Sequence, residues 1–389
     1  MAGKPQHIGS TAAGLTAMTV SFGLNFSAGV FFAPVAAEYG IGTSTLAITA
    51  AVSTVLTGLV QPLVGALLDR VGAKRVIVAA LALLSGSYLA LGAARETWQF
   101  VAAYVLLGGL GFAGASSLAV STLIARDRGE RAAPALARAA VGINLGQLIV
   151  PWAATVLFDA VGLRGTYAIV GAAGFAATLA LAAVMPPDVR PERPGTAQPL
   201  LGRARVLAAF GLHSATLYAM VLLLPKHAAE LGWDRADAGR LVVVAAAAAA
   251  VSSATVPRLL AHRTPEQLLV RLHLIRAVSL VLAAAASDAA LLVVAALLFG
   301  VSSFTVVPLT MAVVTRGLDP ARLGRSLAPA WLIHQAAAGL GLAVAAAGHA
   351  LTGDYRAYFA LGVGLSLLAA ALIAAPATAV RPSPARAGH

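Results

Sequence analysis

The chain has 389 residues and a formal net charge of +12; 59% of its residues are hydrophobic, only 11% are charged, and the mean hydropathy is +0.86. Apolar runs of about 20 residues, the length needed to cross a hydrocarbon core, recur from end to end, which excludes a set of soluble domains with charged surfaces. The absence of cysteine excludes disulfides, thiol catalysis and thiolate metal sites together. The basic excess, which in a soluble protein would suggest nucleic acid, here reports membrane topology.

In chain order, the N-terminal residues carry Lys4 and lead directly into a full-length span, so no cleavable signal is expected. Six spans are predicted over 14–36, 44–68, 76–93, 98–125, 133–158 and 165–185. Residues 186–205, rich in proline and charge, cannot pack a core and are predicted to be a cytoplasmic linker. Six further spans follow over 206–224, 238–261, 265–286, 289–314, 327–350 and 357–375. The eighth contains an alanine run, 245–250, that is only weakly apolar and rests on its context. The predicted architecture is an all-α membrane protein of twelve transmembrane helices in two six-helix halves, 1–185 and 206–389. With both termini placed in the cytoplasm, most lysines and arginines fall inside, and the outside receives only Arg95, Arg164, Lys226, Arg235, Arg240 and Arg356. That bias sets the expected orientation in a cell membrane, the cytoplasmic membrane of a bacterium.

Between the second and third spans lies the run Gly65-Ala-Leu-Leu-Asp69-Arg70-Val-Gly72-Ala-Lys74-Arg75. Its chemistry suits a latch. Asp69, at a helix end, can accept hydrogen bonds from neighbouring helix ends, while Arg70, Lys74 and Arg75 face anionic headgroups. Gly65 and Gly72 permit close helix approach and a tight turn. The run resembles the loop between helices 2 and 3 of the major facilitator superfamily, a resemblance that implies a transporter whose halves rock about a midplane site.

Further segments resemble one branch, the monocarboxylate porters and oxalate–formate exchangers. They are Gln61-Pro-Leu-Val-Gly65, Ala135-Leu-Ala137 with Gly142, Gly146 and Pro151, Gly162-Leu-Arg-Gly165, and Gly317 to Ser326 with His334, Gly339, Gly341 and Leu351-Thr-Gly-Asp-Tyr355. The chain departs from that branch in three places. Nothing at Ser10 to Thr19 matches the acidic, tryptophan-rich entry to helix 1 of its eukaryotic members. Ser116 and Ser117 stand where a tyrosine is frequent late in helix 4. In helix 8 the carboxylate-binding arginine would fall nearer Ala254, so that Arg258 lies one turn too close to the cytoplasm.

Polar side chains inside a span are costly in hydrocarbon and usually face the bundle interior. Asn25 lies about 16 Å into the first span by helical rise. Asn144 and Gln147 share one face of the fifth span, opposite a close-packing face of Gly142 and Gly146. Tyr218 in the seventh span, with His213 and Thr216 nearby, can donate to an anion. His334 sits near the middle of the eleventh beside Trp331, and histidine is the side chain type that ordinarily titrates near neutrality. Asn25, Asn144, Gln147, Tyr218, Arg258 and His334 are the predicted substrate-binding residues. Arg138 and Arg271 are shallow enough to snorkel. Arg276 lies deeper, about 16 Å from Pro265, but on a ninth helix that runs along the periphery of the resembled fold, and no role is assigned to it.

All acidic residues fall in loops or at span ends, which argues against a cation carrier or a proton antiporter. No phosphate-cradling Gly-Lys-Ser/Thr string, clustered metal ligands or nucleophile elbow occurs, so neither an enzyme nor a cofactor is expected. The expected partner is a small organic anion, a monocarboxylate foremost, with protons or a counter-anion as the coupled species, membrane lipids around a monomer, and no nucleic acid. A drug-efflux transporter of the same superfamily and a nontransporting membrane sensor on the same fold are the alternatives.

Overall fold

The computed structural model describes residues 8–27, 31–41, 43–187, 197–198, 200 and 203–375. Among them every regular element is helical and no strand occurs, as expected where a membrane offers backbone groups no water to bond. The first span is divided between α1 (Ser10–Ser27) and α2 (Phe32–Tyr39). The second is α3 (Thr43–Leu59) and α4 (Gln61–Val71), bent by 46°, where Pro62 in the first turn of α4 lacks the N–H needed to continue the ladder. The third is α5 (Ala73–Ala93).

The fourth span is a chain of pieces. It runs through α6 (Thr97–Ala102), a π-helical turn at Ala103–Gly108, α7 (Gly109–Ala115) and α8 (Ser117–Arg128), and it breaks at Ser116, whose backbone is extended. The fifth and sixth spans follow one another in α9 (Ala132–Val184), which folds at Gly162 with φ 70°. In the second half come α10 (Ala204–Glu230), α11 (Arg235–Leu259), α12 (Pro265–Ala285), α13 (Ala289–Val301), α14 (Val306–Val314), α15 (Leu323–Thr352) and α16 (Arg356–Ala374). Asp234 and Asp288 cap α11 and α13, and Thr264 with Gln267 forms a capping box on α12, so three span starts are written in the local sequence.

By length and hydropathy, eight described helical stretches could each cross a membrane, or nine with the bent pair. One of the eight, 97–184, contains three of the spans expected from sequence. The tenth span breaks between α13 and α14, across residues 302–305. The two broken spans repeat each other: Gly114-Ala-Ser-Ser-Leu-Ala-Val120 at the first break matches Gly300-Val-Ser-Ser-Phe-Thr-Val306 at the second.

Small residues set the helix spacing. A Cβ on Gly142 would stand 2.2 Å from the Leu15 carbonyl oxygen and one on Gly146 2.4 Å from that of Thr19, so α9 crosses α1 in direct backbone contact. The second half repeats the device, with Gly341 of α15 against Ala215 of α10 and Gly300 of α13 against Ala245 of α11. The expected linker lies mostly outside the described residues. Gln198 within it donates its backbone N–H to Ser326 Oγ at 2.9 Å and accepts from the Asp319 N–H at 2.7 Å.

Candidate substrate cavity and latch

Asp69 ends the second span and is 1% exposed, an expensive place for a carboxylate unless it is fully paired. The pairing is supplied by the other half of the molecule. The Gly324 and Arg325 N–H groups in the first turn of α15, which have no partner within their own helix, donate to it at 2.8 and 3.0 Å. Arg126 of α8 adds an ion pair at 2.6 Å, donates to the Leu68 carbonyl, and reaches across the halves to the Pro320 carbonyl, each at 2.9 Å. Gly65 meets Gly324 directly, since a Cβ on Gly65 would lie 2.4 Å from the Gly324 oxygen. Gly72 turns the chain into α5 at φ 95°. Lys74 donates to the Met185 carbonyl at 2.9 Å, whereas Arg70 and Arg75 are exposed.

Away from the latch, two narrow cavities lie between the halves on either side of Phe304, which the broken tenth span projects between them. One is lined by Gln61, Ser116, Ser117, Trp331, His334 and Gln335, among others. Buried polar atoms usually find partners, yet Ser117 Oγ, Trp331 Nε1 and Gln61 Oε1 have none here. His334 stacks on Phe210 with ring centroids 4.3 Å apart and lies 5.2 Å from Trp331. The second cavity is lined by Gln147, Ser303 and Phe304 together with apolar residues such as Met220, Leu224 and Leu241.

The residues expected to bind substrate therefore divide. His334 faces the first cavity and Gln147 the second. Asn144, fully buried, donates to Ser253 Oγ of α11 at 3.1 Å and bridges the halves, leaving its Oδ1 unpartnered. Asn25 faces a small cavity within the first half, beside Tyr88 and Tyr104, and does not join the others. The Tyr218 backbone is part of α10, but its side chain lies outside the described residues. Arg258 lies apart from the others. The α11 helix continues to Leu259 in unbroken register, which leaves Arg258 exposed in its last turn and lining none of these cavities.

The cation that does lie inside is Arg276. It is 1% exposed on α12, a helix expected to be peripheral, and it turns inward. Its Nε donates to Ser302 Oγ at 2.9 Å, Nη2 to the Ser302 carbonyl at 2.7 Å and to Ser303 Oγ at 3.2 Å, and Nη1 to Thr216 Oγ1 at 3.3 Å. The guanidinium carbon lies 4.6 Å from the centre of the Phe299 ring. All these partners are neutral, and no described carboxylate pairs with it. His273, one turn back on the same buried face, packs against His213 with centroids 5.9 Å apart, and both His213 ring nitrogens are buried without a partner. The i, i+3 spacing of His273 and Arg276 was the available signal, because two polar residues on one helix face in an apolar span mark an inward face.

Comparison with known proteins places this geometry. No curated protein sequence matches the chain. Solved structures do, at low identity. The human organic anion transporter MFSD10 (TETRAN) is 18% identical with a TM-score of 0.73, covering 93% of this chain and 99% of its own. The proton:xylose symporter XylE, bound to 6-bromo-6-deoxy-D-glucose, is 12% identical with a TM-score of 0.78 and 94% coverage of both. A bacterial homologue of the iron transporter ferroportin in an outward-facing state is 14% identical with a TM-score of 0.74, covering 94% of this chain and 98% of its own. At these identities the likeness shows the fold alone. The profile of the Major Facilitator Superfamily matches residues 14–341, most of the length, and the chain belongs to this superfamily of multi-pass membrane transporters.

Proposed function

We propose that this chain moves a small organic anion, a monocarboxylate foremost, by alternating access, with proton symport or exchange against a second anion as the coupling. The observation that carries the reading is the character of the cavities between the halves. The first presents hydrogen-bond donors without partners, Trp331 Nε1 and the Ser117 hydroxyl, beside one open acceptor, Gln61 Oε1, while no carboxylate lines either cavity among the described residues. A largely apolar site with open donors and no negative charge favours an acceptor-rich, negatively charged guest and disfavours a cation. The branch likeness in Gln61 to Gly65 and Gly317 to Ser326 supports the same class, whereas the similar solved structures, an organic anion transporter, a proton:xylose symporter and a homologue of an iron transporter, do not choose among substrates.

Efflux of cationic drugs would want a buried acidic residue at the cavity, and Asp69, the buried carboxylate of the second span, is spent on the latch. The basic bias of the loops supports a cytoplasmic position for both termini and for the latch face. A thermal-shift screen of the purified protein tests the substrate class, because a ligand that binds only the folded state raises apparent stability. Pyruvate, lactate or a related carboxylate should raise the midpoint. Stabilisation by cationic drugs, with no response to any carboxylate, would replace this reading with efflux.

A further inference from the structure

Arg276 is a full positive charge in the membrane interior, held by neutral groups alone. Its contacts converge on one feature, the break in the tenth span. Nε and Nη2 take the Ser302 hydroxyl and carbonyl that the interrupted ladder leaves available, and Nη2 also reaches Ser303 Oγ. Ser303 is at the same time part of the wall of the second cavity, with Gln147 and Phe304. The guanidinium therefore stands one hydroxyl behind the cavity surface.

The matching break in the fourth span lacks such backing. There Ser116 Oγ donates to the Ala113 carbonyl and Ser117 Oγ is unpartnered. The twin sequences Gly114 to Val120 and Gly300 to Val306 thus make similar breaks, and only the second is electropositive.

From this geometry, and resting on the anion reading above, we infer that the second cavity takes the carboxylate of a monocarboxylate with an apolar body, bound at Ser303, whose hydroxyl turns its one proton from the Phe299 carbonyl to the guest, and selected by Arg276 behind it. A buried guanidinium with neutral partners lacks a counter-charge, and an anion at Ser303 supplies one. The rest of the wall, Met220, Leu224, Leu241, Ala245 and Phe299, suits an apolar body. One cation compensates one carboxylate. A dicarboxylate such as oxalate would leave its second charge among these apolar side chains, which is very costly, so the arrangement discriminates against it. Arg258, exposed at the end of α11, has no part in this.

The test titrates the detergent-purified full chain by thermal shift with benzoate and isovalerate, each against its uncharged amide, and with oxalate. The quantity read is the ratio of acid to amide affinity, which a purely structural role for Arg276 would not move. The wild type should prefer each acid by about tenfold or more, the scale of one charged hydrogen bond, and oxalate should bind no better than the amides. Arg276→Gln should bring the ratio to about one, and Arg276→Lys should restore a preference for the acid. If Arg276→Gln does not fold, Ser303→Ala, which keeps the arginine, should still lower the ratio at least about threefold. An unchanged ratio in Arg276→Gln, or in Ser303→Ala where that variant stands alone, overturns the assignment. So does a wild type that binds benzoate no better than benzamide. Where that wild type still binds pyruvate or lactate, the anion reading survives and only this site is lost. Where it binds no carboxylate at all, both fall.

Discussion

At the residue scale the two buried charges have opposite environments, and that decides what each can do. Asp69 is compensated by Arg126 and by two backbone N–H groups of the other half, so its charge holds the halves together. Arg276 is held by hydroxyls, a carbonyl and a ring face, so its charge remains open to a guest. Asp69→Asn removes the charged acceptor; each charged hydrogen bond contributes about 1.5–3 kcal/mol. Transport should fall sharply while expression and substrate affinity change less, read by uptake into proteoliposomes alongside a binding titration. Unaltered uptake would make the Gly65 to Arg75 run a topological signal only. His334 shares the cavity wall with Trp331 and Gln335 and stands between Phe210 and His213. If it carries the coupled proton, His334→Ala should flatten the dependence of uptake on pH, and a retained pH profile would assign the proton elsewhere. That Asp69 sits at a helix end and accepts from a neighbouring helix end was legible in the sequence because the run around it is local. Arg126, Gly324 and Arg325 were not, because their role exists only where two distant segments meet. Arg276 was left without a role because its helix was expected at the periphery, although its i, i+3 pairing with His273 marks an inward face.

At the scale of the elements, α4 and α15 touch backbone to backbone where the proposed latch lies. A Cβ on Gly324 would fall 2.3 Å from the Gly65 oxygen and 2.7 Å from the Asp69 carboxylate. Gly324→Ala should therefore destabilise the closed latch by about 1–3 kcal/mol, the usual cost of overpacking, and shift the population toward the state open on that face. Spin labels or fluorophores placed across the halves on the latch face should report a longer distance in this variant, and an unchanged distance would show that the contact does not hold the state. The spans themselves were legible from apolar runs and their punctuation: Pro62 marks the bend in the second, Gly162 the fold between the fifth and sixth, and Asp234, Thr264 and Asp288 the starts of later ones. The breaks at Ser116 and at residues 302–305 were not, since neither contains proline or a positive-φ glycine; the second is met by a tertiary partner, Arg276, that no local pattern reveals.

At the scale of the whole molecule, the halves meet at the latch and around the cavities, with Asn144 bridging to Ser253 between them. Closure at one end and a site between the halves are the two elements alternating access requires. The orientation rests on the basic bias of the loops, which predicts a cytoplasmic linker. A single cysteine at position 196, outside the described residues, should resist an impermeant reagent applied to intact cells, and labelling there would reverse the topology. The central claim is that this chain carries a small organic anion through a site exposed to each side in turn. Counterflow tests it most directly: proteoliposomes loaded with unlabelled pyruvate or lactate are diluted into a trace of the labelled anion, with no ion gradient imposed. The account predicts a transient accumulation of label above equilibrium, abolished in Asp69→Asn. No accumulation with any carboxylate, or accumulation only with a cationic drug, would contradict it.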